Sequence, residues 1–232
     1  MKDIYERTSI LIGDENLRKL NNSNVCILGV GGVGSYVLEA LARSGILNIT
    51  IVDKDVVDTT NINRQLIALK STIGKDKVQV AKSRVFDINE EIKLVAIKEE
   101  ITRENISSIL NKSYDYIVDC VDNLEAKIAI IEFAHMNNIK CISSMGMGKR
   151  LNPLDIKVCD INKTYMCPLA KKVRKILKDL GIKKQKVVFS KEEPKSEKKS
   201  KTLGSISFVP SVAGLVIASE VVKDIINEEV NE

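Results

Sequence analysis

The chain has 232 residues, of which 44% are hydrophobic and 29% charged, a composition that excludes a disordered or fibrous protein and fits an ordinary folded globular chain. Its formal charge is only +5, yet thirteen Lys or Arg against four Asp or Glu fall between Lys171 and Lys201, so that segment either meets an anionic partner or is a solvated basic face. Five cysteines at wide spacing, with no C-x-x-C pair, exclude a disulfide framework and a structural zinc site and predict reduced thiols.

In chain order, the amino terminus has no apolar h-region or small-residue cleavage site, so the expected compartment is the cytoplasm. An apolar run over 25–28 that ends in glycines reads as a buried parallel strand, and 35–43 follows with helical spacing. The alternation continues with a strand over 49–52, a helix over 77–88, a strand over 94–97 and a short helix over 105–110 with Thr102 as its cap. Strands over 116–121 and 140–143 are joined by a helix over 124–136. Beyond Gly148, strands over 155–158 and 186–189 flank a very basic amphipathic helix over 168–180. Residues 191–201 are almost wholly Lys, Glu, Ser and Pro and cannot bury enough apolar surface to order themselves, so they are expected to be mobile. A last helix over 210–227 is apolar enough to pack on the sheet or on a second subunit. The run 206–222 is broken by polar residues and falls short of the roughly 18 apolar residues of a membrane span, so no stable membrane insertion is expected.

This pattern predicts an α/β fold: a Rossmann-like, doubly wound, mostly parallel sheet with helices on both faces and a short α+β carboxyl-terminal extension. The expected organisation is one domain over 1–232, with a nucleotide-binding core over 1–148 and a substrate-side extension over 149–232 that carries a mobile basic loop at 191–203.

The strongest local signal is Gly29-Val30-Gly31-Gly32-Val33-Gly34, between a predicted strand and a predicted helix. Such a turn lets backbone N–H groups and a helix amino terminus approach a phosphate or ribose. Asp53 closes the next strand 19 residues after Gly34, where a carboxylate can accept from both ribose hydroxyls. Downstream lie Asp53-Lys54-Asp55, Asn61-Ile62-Asn63-Arg64-Gln65 and Gly74-Lys75-Asp76-Lys77. Arg64 and Lys77 suit a triphosphate, because attack at an α-phosphorus needs the departing pyrophosphate neutralised. In Asp119-Cys120-Val121-Asp122-Asn123, Asp122 is the better candidate for Mg²⁺, and Asp119, inside the apolar run, is a candidate buried acceptor.

These motifs stand in the order and spacing of the ubiquitin-activating-enzyme-like, ThiF-type adenylyltransferases, which the chain resembles over nearly its whole length. Within that superfamily it is most similar to the tRNA threonylcarbamoyladenosine dehydratase branch, through Glu6-Arg7-Thr8, Ile12-Gly13, Ala68-Leu69, the 143–148 glycine turn, Lys163-Thr164 and Pro168-Leu169-Ala170. The resemblance implies ATP and Mg²⁺, with Gly29, Gly31, Gly32 and Gly34 shaping the nucleotide turn, Asp53 on the ribose, and Asn61, Arg64 and Lys77 on the phosphates. Asp55, Gln65 and Asn123 fall in the same motifs and join the nucleotide-binding set. Arg7, expected just before the first helix, matches the arginine that reaches a partner subunit's ATP site in a homodimer. The implied reaction adenylates a threonyl carboxylate in tRNA and then cyclises it with loss of water. A monovalent cation and a sulfur-transfer protein partner are left open. So is the alternative of activating the Gly-Gly tail of a sulfur-carrier protein, while a nicotinamide reductase leaves Arg64, Lys77 and Asp122 without a shared purpose and a nucleotide-sensing module uses only the binding turn. Cys26, Cys120, Cys141 and Cys159 read as core residues; Cys167, in a predicted loop, is either a reactive thiol or incidental. His135 reads as structural.

Overall fold

Continuous apolar runs bounded by glycines and acids make the central strands, as expected of strands covered on both faces. The computed structural model describes residues 4–195 and 203–227. Strands β1 (Asn24–Leu28), β2 (Asn48–Val52), β3 (Lys93–Ile97), β4 (Tyr116–Asp119), β5 (Lys140–Ser144), β6 (Ile156–Asp160) and β7 (Lys186–Ser190) form one seven-stranded sheet in the order β3-β2-β1-β4-β5-β7-β6. Every pairing is parallel except β6 with β7. The 149–232 region therefore extends the same sheet.

Helices α1 (Glu6–Ile12), α2 (Asp14–Asn22), α3 (Gly34–Ser44), α4 (Lys77–Ile88), α5 (Ile106–Ile109), α6 (Leu124–Met136), α7 (Pro168–Asp179) and α8 (Phe208–Ile226), with short 3-10 turns at Thr59–Asn61, Lys70–Thr72, Pro153–Asp155 and Ile161–Lys163, complete the described elements. One core joins α2, α3, α4 and α8 to the sheet; α5, α6 and α7 build two further clusters that include the opposite-facing side chains Cys26, Leu28, Ile117 and Val187. Because β1 lies between β2 and β4, the crossovers diverge there and leave a crevice above the carboxyl ends of these strands. Among the described residues, no helix is long and apolar enough to cross a membrane.

Several boundaries differ from the sequence expectation. The strand expected over 116–121 stops at Asp119, whose carboxylate Oδ1 accepts the Val121 N–H at 3.1 Å and turns the chain. The helix expected over 105–110 shrinks to Ile106–Ile109, and Thr102 does not cap it alone: Thr102 donates its N–H to Asn105 Oδ1 and accepts the Asn105 N–H on its hydroxyl. Helices α1 and α2 were not expected, and Arg7 lies inside α1 rather than before it. The expectation of mobility over 191–203 meets a fixed entry. Glu192 Oε2 accepts the N–H groups of Leu151 and Asn152 at 2.8 and 2.7 Å, and the Lys195 N–H bonds Lys149 O at 2.9 Å. Residues 196–202 of that loop lie outside the described residues.

Candidate functional site

The glycine turn leaves β1 with Gly29 at φ +88°, a left-handed value that glycine adopts without strain. A Cβ there would sit 3.0 Å from the Cys120 backbone, so the turn after β1 and the turn after β4 touch. At Gly34 a Cβ would fall 1.8 Å from Gly29 O, which makes the turn closable only by glycine. Above Gly31 the nearest group is Gln65 Nε2 at 3.8 Å, leaving a cradle over the start of α3.

Asp53, at the end of β2, braces this turn: Oδ2 accepts the Val30 N–H at 2.7 Å and Oδ1 the Asp55 N–H at 2.9 Å. Each oxygen keeps a further lone pair, so the carboxylate can still take ribose hydroxyls. Lys77 opens α4 with its ammonium buried against Asp55 Oδ2 at 2.7 Å and Asp53 Oδ1 at 4.0 Å. A phosphate arriving here would compete with these carboxylates for an ammonium already in place.

The 59–65 loop supplies the opposite wall. Asn61 is buried and its Oδ1 accepts the Asp58 N–H at 3.0 Å, closing a capping box with Asp58, so this oxygen is spent on shaping the loop. Arg64 is half-buried; its Nη1 donates to Thr60 O at 2.7 Å and Asn63 Oδ1 at 2.9 Å, and its Cγ is 3.4 Å from where a Gly32 Cβ would lie. Gln65 is buried, with Oε1 unpartnered among the described residues. On the far side, Asp122 is exposed and makes no hydrogen bond or ion pair among the described residues, whereas the Asn123 side chain caps α6 by accepting the Ala126 N–H at 3.0 Å. No cluster of three or more His, Cys, Asp or Glu suited to a metal occurs among the described residues. A single exposed carboxylate matches Mg²⁺ held mainly by phosphate oxygens and water rather than in an all-protein cage.

Glycines 29, 31, 32 and 34, with Asp53, Asp55, Asn61, Arg64, Gln65, Lys77, Asp122 and Asn123, thus gather at one sheet edge. Arg7 does not join them. It is exposed on α1, which Tyr5 moors through its hydroxyl to Ala42 O at 2.9 Å, near the end of α3 remote from the glycine turn.

Structure adds residues that sequence reading passed over. Ser35 Oγ donates to Gly31 O at 2.7 Å and accepts the Leu66 N–H at 3.2 Å, tying the turn to the 59–65 loop. Pro210 of α8 would meet a Gly32 Cβ at 3.4 Å, and Asn63 Nδ2 donates to Ser205 O at 3.0 Å. Lys127, wholly buried on α6, pairs with Asp119 Oδ2 at 2.7 Å. Burial pushes the Asp119 carboxyl up, against the pull of the Lys127 ammonium. The available signal was a lysine within the otherwise apolar stretch 126–131; Ser35 and Pro210 carried none.

The cysteines divide. Burial pushes the thiols of Cys26, Cys120 and Cys141 far above the ordinary value, which makes them poor nucleophiles. Cys159 is half-buried and also raised by burial. Cys167 is buried at the start of α7, where its Sγ accepts the Ala170 N–H at 3.5 Å. Beside it Arg150, 4% exposed, gives one bond from Nη2 to Met166 O at 2.8 Å, and its Nε and Nη1 find no acceptor among the described residues. His135 meets Gln185 Oε1 at 3.1 Å, away from the crevice.

The profile of the ThiF family matches residues 5–232. The tRNA threonylcarbamoyladenosine dehydratase of Bacillus subtilis is 42% identical over 97% of this chain and 95% of that protein. The crystal structure of the Escherichia coli tRNA N6-threonylcarbamoyladenosine dehydratase with ATP superposes with a TM-score of 0.91 at 32% identity, covering 97% of this chain and 94% of that one. Its complex with AMP gives a TM-score of 0.90 at 33% identity over 96% and 93%.

Proposed function

Because this chain belongs to the ThiF family, we propose that it is an ATP-dependent tRNA threonylcarbamoyladenosine dehydratase. The observation that carries the reading is the extent of the likeness, 42% identity over 97% of the chain. A glycine turn with a phosphate clamp would suit any carboxylate-adenylating relative, whereas the likeness here extends through the region after 148, on the substrate side.

In this reading a threonyl carboxylate oxygen of the modified nucleoside attacks the α-phosphorus of ATP and pyrophosphate leaves. The neighbouring carbamoyl group then attacks the acyl-adenylate carbonyl, a ring closes and AMP departs, for a net loss of one water. Nucleophile and electrophile both belong to substrates, so the protein's contribution is orientation and charge stabilisation. Asp53 holds the ribose; Arg64 and Lys77 meet the phosphates, Lys77 being released from Asp55 as the phosphates replace that carboxylate. Asp122 would hold Mg²⁺, which neutralises phosphate charge when bound. Arg7 acts across a homodimer: its own site is out of reach, and α1 presents Ile10 and Leu11, 79% and 83% exposed, as apolar surface for a second copy. We read 1–148 as the nucleotide core and 149–232 as the substrate side.

The test is incubation with ATP, Mg²⁺ and either threonylcarbamoylated tRNA or a carrier protein ending in Gly-Gly. AMP release with loss of one water from the tRNA nucleoside is the expected result. An adenylated carrier and unchanged tRNA would assign the chain to sulfur-carrier activation instead.

A further inference from the structure

Asp119 and Lys127 are both wholly inaccessible, 2.7 Å apart, at the end of β4 and on the second turn of α6. Removing two charges from water is costly, and apolar pairs of similar volume often serve a fold as well or better. Stability is therefore a weak reason for this pair, and its place suggests another. It brackets the turn formed by Cys120, Val121 and Asp122. Asp119 Oδ2 takes the Lys127 ammonium and its Oδ1 takes the Val121 N–H at 3.1 Å. The Cys120 N–H is fixed on Leu28 O at 2.8 Å, and the Cys120 backbone lies against Gly29. Asp122 itself has no hydrogen bond or ion pair among the described residues to aim its side chain. The backbone of this turn sets where its Cβ points, and the nearby Lys54 ammonium is a charge that its carboxylate feels.

We propose that Lys127 and Asp119 are positioning residues that hold Asp122 in register with the glycine turn, so that metal-bound nucleotide is favoured over free nucleotide. The proposal rests on the assignment of Asp122 to Mg²⁺ made above. An ionic pair does here what an apolar one cannot: it directs two oxygens of one carboxylate, one to the helix and one to the turn, and so fixes the angle between them.

The test compares wild type with the double variant Asp119→Leu/Lys127→Met and with Lys127→Arg. Calorimetry measures ATP affinity with excess Mg²⁺ and with EDTA, in the absence of any tRNA. Thermal unfolding reports the fold. The double variant is expected to melt near wild type and bind ATP in EDTA normally, while the tightening of ATP by Mg²⁺ falls tenfold or more and adenylation kcat falls in parallel. Lys127→Arg is expected to recover most of that loss. Should the double variant not fold, Asp119→Asn, which keeps an acceptor for Val121 but loses the charge, is expected to lose three- to tenfold of the Mg²⁺ effect. A folded double variant, or failing that Asp119→Asn, with an undiminished Mg²⁺ effect overturns the proposal. If wild type shows no Mg²⁺-dependent ATP tightening, the assignment of Asp122 fails first. If that tightening is present and wild type is inactive on modified tRNA, the choice of acceptor fails and the positioning role stands.

Discussion

Arg64 and Gly34 separate chemistry from architecture within a few ångströms of each other. Among the described residues the guanidinium of Arg64 bonds to Thr60 and Asn63 alone, in its own loop, so its loss leaves the core untouched. Arg64→Ala is expected to lower ATP–pyrophosphate exchange by about 10²–10³-fold, the usual cost of removing one charge-stabilising donor, with an unchanged melting profile; retained exchange refutes the clamp. Gly34→Ala should do the reverse kind of damage. Its new methyl would need to occupy space 1.8 Å from a backbone oxygen, and no side chain can yield to relieve it. Destabilisation of about 3 kcal/mol or more, read from urea midpoints, is the expected outcome, with nucleotide binding lost alongside.

Between elements, Glu39 on α3 ties two helices together: it accepts from Arg43 on the same helix at 2.8 Å and from Arg84 on α4 at 2.7 and 3.0 Å. Partial burial pushes the Glu39 carboxyl up, but the hydrogen bonds from Arg84 and Arg43 outweigh it and hold it below the usual carboxylate range. A depressed folded value means this contribution is complete above the unfolded value of about 4.3 and is lost as pH falls through the folded one. Glu39→Gln should therefore narrow the stability difference between neutral and acid solution, and melting curves across that range that parallel wild type would count against the linkage. The same elements show what sequence discloses. Helices α4 and α6 were expected over 77–88 and 124–136 and are observed there, because long apolar faces mark them; the cap that Asn123 gives α6 shows only in the folded chain. Helix α1 carries no buried residue and α2 is a short, strongly polar segment that buries Leu17 and Leu20 alone, so neither offers the long apolar face that marks α4 and α6. Strand β4 seemed longer than it is because apolar Cys120 and Val121 continue its pattern into a turn, and the antiparallel sense of β6 depends on a neighbour thirty residues on. Of the candidate site, the parts set by local spacing were legible: the glycine turn, Asp53, Lys77. Ser35, Pro210 and Lys127 matter through contacts that only the folded chain creates.

Across the whole molecule, three thiols report on the state of the sheet. Cys26, Cys120 and Cys141 are held at high pKa by burial, Cys141 at about 12, in the core around β1, β4 and β5. Their raised values are expected to keep all three slow with a thiol reagent at neutral pH, Cys120 and Cys141 being only half-buried; wholly buried Cys26 is expected to react only across the urea transition, and its reaction in native buffer would show that the sheet opens locally. The path of α8 bears on the order in which the molecule can become competent. Its first turn backs the glycine loop through Pro210, Gly214 approaches Val33 O so closely that a Cβ would lie 2.5 Å away, and Asp224 near its far end accepts the Tyr116 hydroxyl at 2.6 Å at the start of β4. Yet this helix follows every strand in chain order. On a translating ribosome the amino-terminal half can pair its strands early, but its nucleotide loop stays unbacked until α8 clears the exit tunnel, so a nascent chain halted before residue 208 should fail to retain ATP however well its strands have formed.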